Sequence, residues 1–286
     1  MTRNQTTLRG QLHQKYMDYI KKPKIPDPNL KRDLKSGWML PYLLQVDKLL
    51  WGRWNYWSEL CMANELPDEP IPQIHFGVSS AKFKSSIGVK MLERCFNAIS
   101  PAWQGWSTST YMEYFFDWFL WGVGAKKEEP TTTNPNTSIL LYQLFDLWPL
   151  LLEPFDYFGN MLALSGFGKG MGFYPTPHTV VELMVQMKIE SSDDQRTLSV
   201  CDPCVGTGRM LLHASNYSLR LFGNDINDLV VKATLVNGWL YAPWLVKPIP
   251  WLENYSAENK PATVDTDIDW GDNDDSIDWE EEEIEW

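Results

Sequence analysis

Cysteine is scarce in this chain: Cys61, Cys95, Cys201 and Cys204 are the four among 286 residues. That is too few for a disulfide-stapled scaffold and fits a reducing compartment. No apolar run approaches the roughly 20 residues a membrane span requires, because charges or prolines interrupt every candidate. The opening MTRNQTTLRGQLHQKY has no apolar core of the kind a secretory signal carries. These absences lead to the expectation of a soluble, cytoplasmic protein without a membrane partner. Histidine is also sparse, at four. His75, His178 and His213 have no Cys or carboxylate at ligand spacing, so structural roles are expected for them. Cys201 and Cys204 form one Cys-x-x-Cys without a second pair, and their place between a strand and a glycine loop accounts for both. No metal is therefore expected.

Aromatic residues are abundant, with 15 Trp, and much of this mass precedes residue 150. The net charge of −12 is unevenly placed. Glu253 to Trp286 holds 14 acidic residues and one Lys, whereas residues 1–35 hold nine basic and three acidic ones. The chain thus reads as a basic arm, a near-neutral body and an acidic tail, and placement of charge is what selects partners.

Four segments follow. Residues 1–36 are a polar, basic arm broken by prolines at KKPKIPDP. Residues 37–164 read as a mostly helical, Trp-rich domain. Helical spacing runs over 37–65, 82–98 and 109–121, and Ile139 to Pro154 reads as one more apolar helix. YMEYFFDWFLW is apolar on most sides and should be buried. Residues 165–252 change character. The Gly- and Pro-rich SGFGKGMGFYPTP precedes a helix from His178, and then TLSVCDP, VGTGRMLLHAS, LRLFGNDI and the stretch from Asn227 to Tyr241 alternate strand, helix, strand, helix. That order begins an α/β sheet of Rossmann-like type, with strands expected near Thr197, Leu219 and Trp244. Residues 253–286 are too acidic to fold unaided.

The sharpest motif is Asp202-Pro203-Cys204-Val205-Gly206-Thr207-Gly208, between an expected strand and an expected helix. Glycines there let the backbone turn tightly and approach a ligand with no Cβ in the way. Asp225 closes the next strand, where an acid can accept hydrogen bonds from a ribose diol. Asp-Pro-x-x-Gly-x-Gly resembles the first motif of amino-group DNA methyltransferases. Gly172-Phe173-Tyr174-Pro175-Thr176-Pro177 is similar to their upstream segment, Gly223-Asn224-Asp225-Ile226 to the second-strand acid, and Asn237 to a position often Asn. The order most resembles the modification subunit of type I restriction systems and related adenine-N6 methylases. The resemblance implies S-adenosylmethionine as cofactor. Asp202, Gly206 and Gly208 would shape the pocket around its amino acid moiety, and Asp225 would hold the ribose hydroxyls. Ile226 would lie against the adenine, and Tyr174, Thr176 and Pro177 would close the methionine side.

One departure stands beside the match. The family's catalytic Asn/Asp-Pro-Pro-Tyr/Phe, which holds a flipped-out adenine, is missing, since the chain contains no Pro-Pro dipeptide. Asp27-Pro28-Asn29 and Asn134-Pro135-Asn136 lack the aromatic. After Trp251 the chain turns acidic, so a truncated sheet of about three strands is expected, with no catalytic residue of its own. The basic arm is a candidate for DNA contact. The tail repeats Ile268-Asp269-Trp270, Ile277-Asp278-Trp279 and Ile284-Glu285-Trp286, which suits docking of residues 265–286 onto a protein partner, with a plain solvated tail and folding back onto the basic arm as the alternatives. Two functions remain open: a cofactor-binding part of a DNA-modification enzyme that needs a second chain, or a non-catalytic scaffold that recruits partners through the tail and the Trp-rich helices.

Overall fold

The structure, a computed structural model, describes residues 34–77, 86–99, 108–131, 136–164, 173–189 and 195–253. Most of the basic arm, the glycines of 165–172 and the tail from residue 254 lie outside the described residues.

The first half is helical. Helices α1 (Leu40–Leu50) and α2 (Arg53–Ala63) divide a stretch that spacing alone reads as continuous. The division falls at Gly52, whose φ of 72° an L-residue rarely adopts. There the N–H groups of Trp51 and Gly52 both donate to the Asp47 carbonyl, at 2.7 and 2.8 Å, ending α1. Helix α3 (Ile87–Ile99) buries Val89, Leu92, Cys95 and Phe96 on one face. Helix α4 (Thr108–Gly122) is wrapped on most sides: Phe115, Phe116, Trp118 and Phe119 are wholly buried.

The apolar stretch after residue 136 is two helices, not one: α5 (Thr137–Leu144) and α6 (Leu147–Leu152). Phe145 is extended, and the Asp146 carboxylate caps α6 by accepting from the Trp148 N–H at 3.0 Å. Pro149 explains the break, since its ring would clash with the carbonyl four residues earlier in a continuous helix. Helix α7 (Tyr157–Leu164) completes this half.

In the second half, α8 (His178–Ile189) precedes β1 (Ser199–Asp202), α9 (Arg209–Ala214), β2 (Arg220–Gly223) and α10 (Asp228–Tyr241). The strands are parallel, from Ser199 opposite Arg220 to Asp202 opposite Gly223. Parallel pairing needs a crossover, and α9 supplies it. The chain is thus mostly helical with one two-stranded parallel sheet among the described residues, compatible with an α/β fold.

The third strand expected near Trp244 is not a strand. Residues Pro243–Val246 form a short helix, α11, followed by α12 (Pro250–Glu253). Pro243, Pro248 and Pro250 lack the N–H a strand ladder needs. Trp244 is instead 1% exposed, packed with Tyr56, Leu221 and Ile249.

Two buried clusters form the interior. The larger runs from Met39 to Ala242 and places Val230, Ala233, Val236 and Trp239 of α10 among the aromatics of α4 and α6. The smaller joins Val181, Val205, Leu211, Leu219 and Leu221 to Tyr56 and Leu60 of α2. Arg53, wholly buried, links the two halves. Its guanidinium donates to the Pro72 carbonyl (2.8 Å), Ser215 Oγ (2.7 Å), the Tyr241 carbonyl (2.6 Å) and Asn216 Oδ1 (2.6 Å). It also lies 4.9 Å from the Trp244 ring centroid. Burial lowers its pKa to about 9, which keeps it charged at neutral pH, and raises that of the neighbouring buried Asp47 to about 6. No helix among the described residues is long and apolar enough to cross a membrane.

Candidate functional site

At the carboxyl ends of the two strands the backbone is laced together. The Asn224 N–H donates to the Asp202 carbonyl (3.0 Å), and the Val205 N–H donates to the Asn224 carbonyl (2.9 Å). The glycine loop lies directly above. Gly206 (φ 54°) and Gly208 (φ 85°) are both left-handed. A Cβ on Gly208 would sit 2.9 Å from Thr234 Cγ2 of α10, so this glycine sets how closely loop and helix pack. The same Thr234 donates its hydroxyl to the Gly206 carbonyl at 2.7 Å.

Asp225 ties this loop to the next one. Its Oδ2 accepts from the Gly206 N–H (2.9 Å) and its Oδ1 from the Asn227 N–H (3.0 Å). Each oxygen keeps a further lone pair. Asn227 in turn caps α10, accepting from the Leu229 N–H at 3.0 Å. Asp202 Oδ1 accepts from the Cys204 N–H at 3.1 Å.

A cavity of about 680 Å³ opens over these groups. Of the eight residues singled out from sequence, Tyr174, Thr176, Asp202, Gly206, Asp225 and Ile226 line it. Gly208 is buried behind the loop, and Pro177, exposed, stands at the foot of α8 rather than on the wall. Tyr174 and Ile226 project outward: Tyr174 is 81% exposed and Ile226 fully so. Cys204 is on the wall, and Cys201 is exposed on β1.

Beneath the cavity lies a buried polar network of which the sequence motifs marked Asn237 but not its centre, Asp156. Asp156, just before α7, is wholly buried. Its carboxylate accepts from Thr207 Oγ1 (2.7 Å), Arg209 Nε (3.0 Å), Asn237 Nδ2 (3.0 Å) and the Gly159 N–H (3.0 Å). Arg209 also donates to the Thr176 carbonyl (2.6 Å) and to Asn160 Oδ1 (2.7 Å). The segment before α8, the glycine loop, α7 and α10 are thereby held to one another. A signal for Asp156 was present in the sequence: an acid inside the apolar run EPFDYFGN is costly to bury unless paired, and Arg209 follows the glycine motif directly.

The structure also brings together two histidines that look scattered in sequence. His178 Nδ1 and His213 Nε2 are 2.9 Å apart. His178 stacks on Phe155, with ring centroids 4.6 Å apart. Burial, reinforced by the nearby Arg209 cation, lowers the pKa of His178 to about 3 and of His213 to about 4. Both are therefore neutral at physiological pH.

Residues 153–240 match the family model for N-6 DNA methylase. The match spans the glycine loop and both strand ends, and begins upstream so as to include Asp156 and Asn160. Asn237 falls near its end. The matched segment is under a third of the chain. It supports a DNA-methyltransferase-like function in the adenine-N6 family, in which S-adenosylmethionine is the usual methyl donor. No curated protein and no solved structure matches the chain.

Proposed function

We propose that this chain is the S-adenosylmethionine-binding part of an adenine-N6 DNA-modification enzyme, and that a second polypeptide supplies the group that engages the target base. The observation that carries this reading is the charge of the cavity wall. Its charged lining residues are Asp202, Asp225 and Arg209, and the Arg209 guanidinium is committed to Asp156, Thr176 and Asn160. What faces the ligand is thus acidic. A nucleotide's phosphates would be repelled there, whereas a ligand with a sulfonium, an ammonium and a ribose diol meets complementary groups.

Two details of the wall fit such a ligand. The left-handed Gly206 presents bare backbone opposite Phe173, whose ring a Cβ would meet at 3.4 Å. The Asp225 carboxylate, fixed by two backbone N–H groups, has free lone pairs for a pair of hydroxyls and need not reorganise to accept them. When bound, S-adenosylmethionine supplies an activated methyl group. Asp202 and Asp225 would hold the ligand's polar ends, while Phe173, Val181 and Val230 would exclude water from its apolar flank. No Asn/Asp-Pro-Pro-Tyr/Phe stands in these 286 residues, so the group that engages the target base is proposed to come from outside them.

Titration calorimetry with S-adenosylmethionine tests the binding. The wild type should release heat, and Asp225→Ala should bind at least tenfold more weakly while a thermal melt shows that it remains folded. No heat from the folded wild type would overturn the proposal in favour of a non-catalytic scaffold. Methyl transfer to DNA by the isolated chain would overturn the requirement for a second polypeptide.

A further inference from the structure

A second groove of about 340 Å³ shares no lining residue with the cofactor cavity. Its floor is aromatic. Trp54 stacks on Trp239 with centroids 5.0 Å apart and 24° between planes, and Trp57 meets Trp54 edge-on at 5.5 Å. The indole N–H groups are already used: Trp54 donates to the Trp239 carbonyl at 3.1 Å and Trp57 to the Lys247 carbonyl at 2.7 Å. Trp54 and Trp239 are themselves buried, at 6% and 4% exposure, so the surface offered to a ligand is that of the half-buried Trp57 ring and of Leu44 at 38% exposure. Two exposed lysines, Lys48 of α1 and Lys247, line the groove. Lys247 Nζ lies 5.7 Å from the Trp239 ring centroid. No acidic residue lines the groove, and neither lysine has a carboxylate within salt-bridge distance among the described residues.

An aromatic floor with cations at the rim calls for an occupant that alternates apolar side chains with acids. The chain carries that pattern itself, in Ile268-Asp269-Trp270, Ile277-Asp278-Trp279 and Ile284-Glu285-Trp286. We infer that the groove binds the acidic tail of the same chain, with an Ile/Trp pair on Trp57 and Leu44 and the flanking acids beside Lys48 and Lys247. Reach permits it. Lys247 is six residues before Glu253, and Trp251 Nε1 donates to the Leu60 carbonyl of α2 at 2.8 Å, so the tail departs beside the helix that builds the groove. The 15 residues from Glu253 to Ile268 extend up to about 50 Å. The rim charges act within a Debye length of about 8 Å at physiological salt, while ring stacking on the floor is insensitive to salt.

Zero-length carbodiimide coupling on the full-length chain, mapped by mass spectrometry, tests this directly. It joins an amine to a carboxylate only where they touch. The expected product links Lys48 or Lys247 to an acid within residues 265–286, and equimolar light and heavy-isotope chains should give light–light and heavy–heavy links alone. Replacing Trp270, Trp279 and Trp286 together by Ser keeps every acid and should cut the yield at least fivefold. Mixed-isotope links would overturn the inference by making the occupant a second copy. Links from the tail only to lysines of the N-terminal arm, or an undiminished yield in the triple variant, would also overturn it.

Discussion

Replacing Asp156 by Ala is expected to be among the most damaging single changes in this protein. The carboxylate is wholly buried and accepts hydrogen bonds from Thr207, Arg209, Asn237 and Gly159. Arg209 is itself 7% exposed and pairs with Asp156 at 2.9 Å. Removing one partner of a buried pair leaves an uncompensated charge, which typically costs about 3–5 kcal/mol. The neutral donors add to this without simple additivity, because Arg209 keeps the Thr176 carbonyl and Asn160 as acceptors. For a domain of this size the loss corresponds to a drop in Tm of about 6–20 °C. Urea unfolding of the wild type, Asp156→Ala, Arg209→Ala and the double variant forms a thermodynamic cycle. The double variant should lose about 1–3 kcal/mol less than the sum of the singles. A single-variant loss below about 1 kcal/mol, or additivity within about 0.5 kcal/mol, would show that the network is not what fixes the glycine loop to α7 and α10.

Three further outcomes follow from the same geometry. His178 and His213 titrate lower in the folded chain, at about 3 and 4, than the ordinary value of about 6.5. Between pH 6.5 and 4 the unfolded chain therefore binds more protons at these sites, and stability falls as pH drops through that window. The cost for His213 is about 2 kcal/mol at pH 5, partly opposed by Asp47, whose raised pKa of about 6 works in the other sense. The urea midpoint of His213→Gln should accordingly depend less on pH between 7 and 5 than that of the wild type, and an identical dependence would count against this account. Both glycines are left-handed, but Gly208→Ala adds to its φ of 85° a Cβ 2.9 Å from Thr234, whereas Gly206→Ala, at φ 54°, meets only Phe173 at 3.4 Å. Gly208→Ala should thus be the more destabilising of the two, by about 1–2 kcal/mol in thermal unfolding. Arg53→Leu removes the donors that satisfy the Pro72, Ser215 and Tyr241 carbonyls, and should cost about 3–5 kcal/mol by denaturant titration.

Local chemistry made much of this protein legible in its sequence. The tight glycine turn at Gly206 and Gly208 and the helix beginning at about Asn227 are each dictated by a few neighbouring residues and were legible in the sequence, whereas β2 stops at Gly223, two residues before Asp225. α4, apolar on most sides, could only be buried, with Glu113 and Asp117 left on its one polar face to meet Lys232. The chain divides differently where one breaker outweighed periodicity: Gly52 split one expected helix, Pro149 split another, and three prolines turned the expected strand at Trp244 into a short helix. Tertiary structure alone decided which distant groups would meet. Asp156 reaches Arg209 across 53 residues, His178 finds His213 across 35, and Arg53 finds the Tyr241 carbonyl across 188. No periodicity encodes such pairings. A buried charge must find a partner wherever the packing of helices places one, and only the folded chain determines where that is.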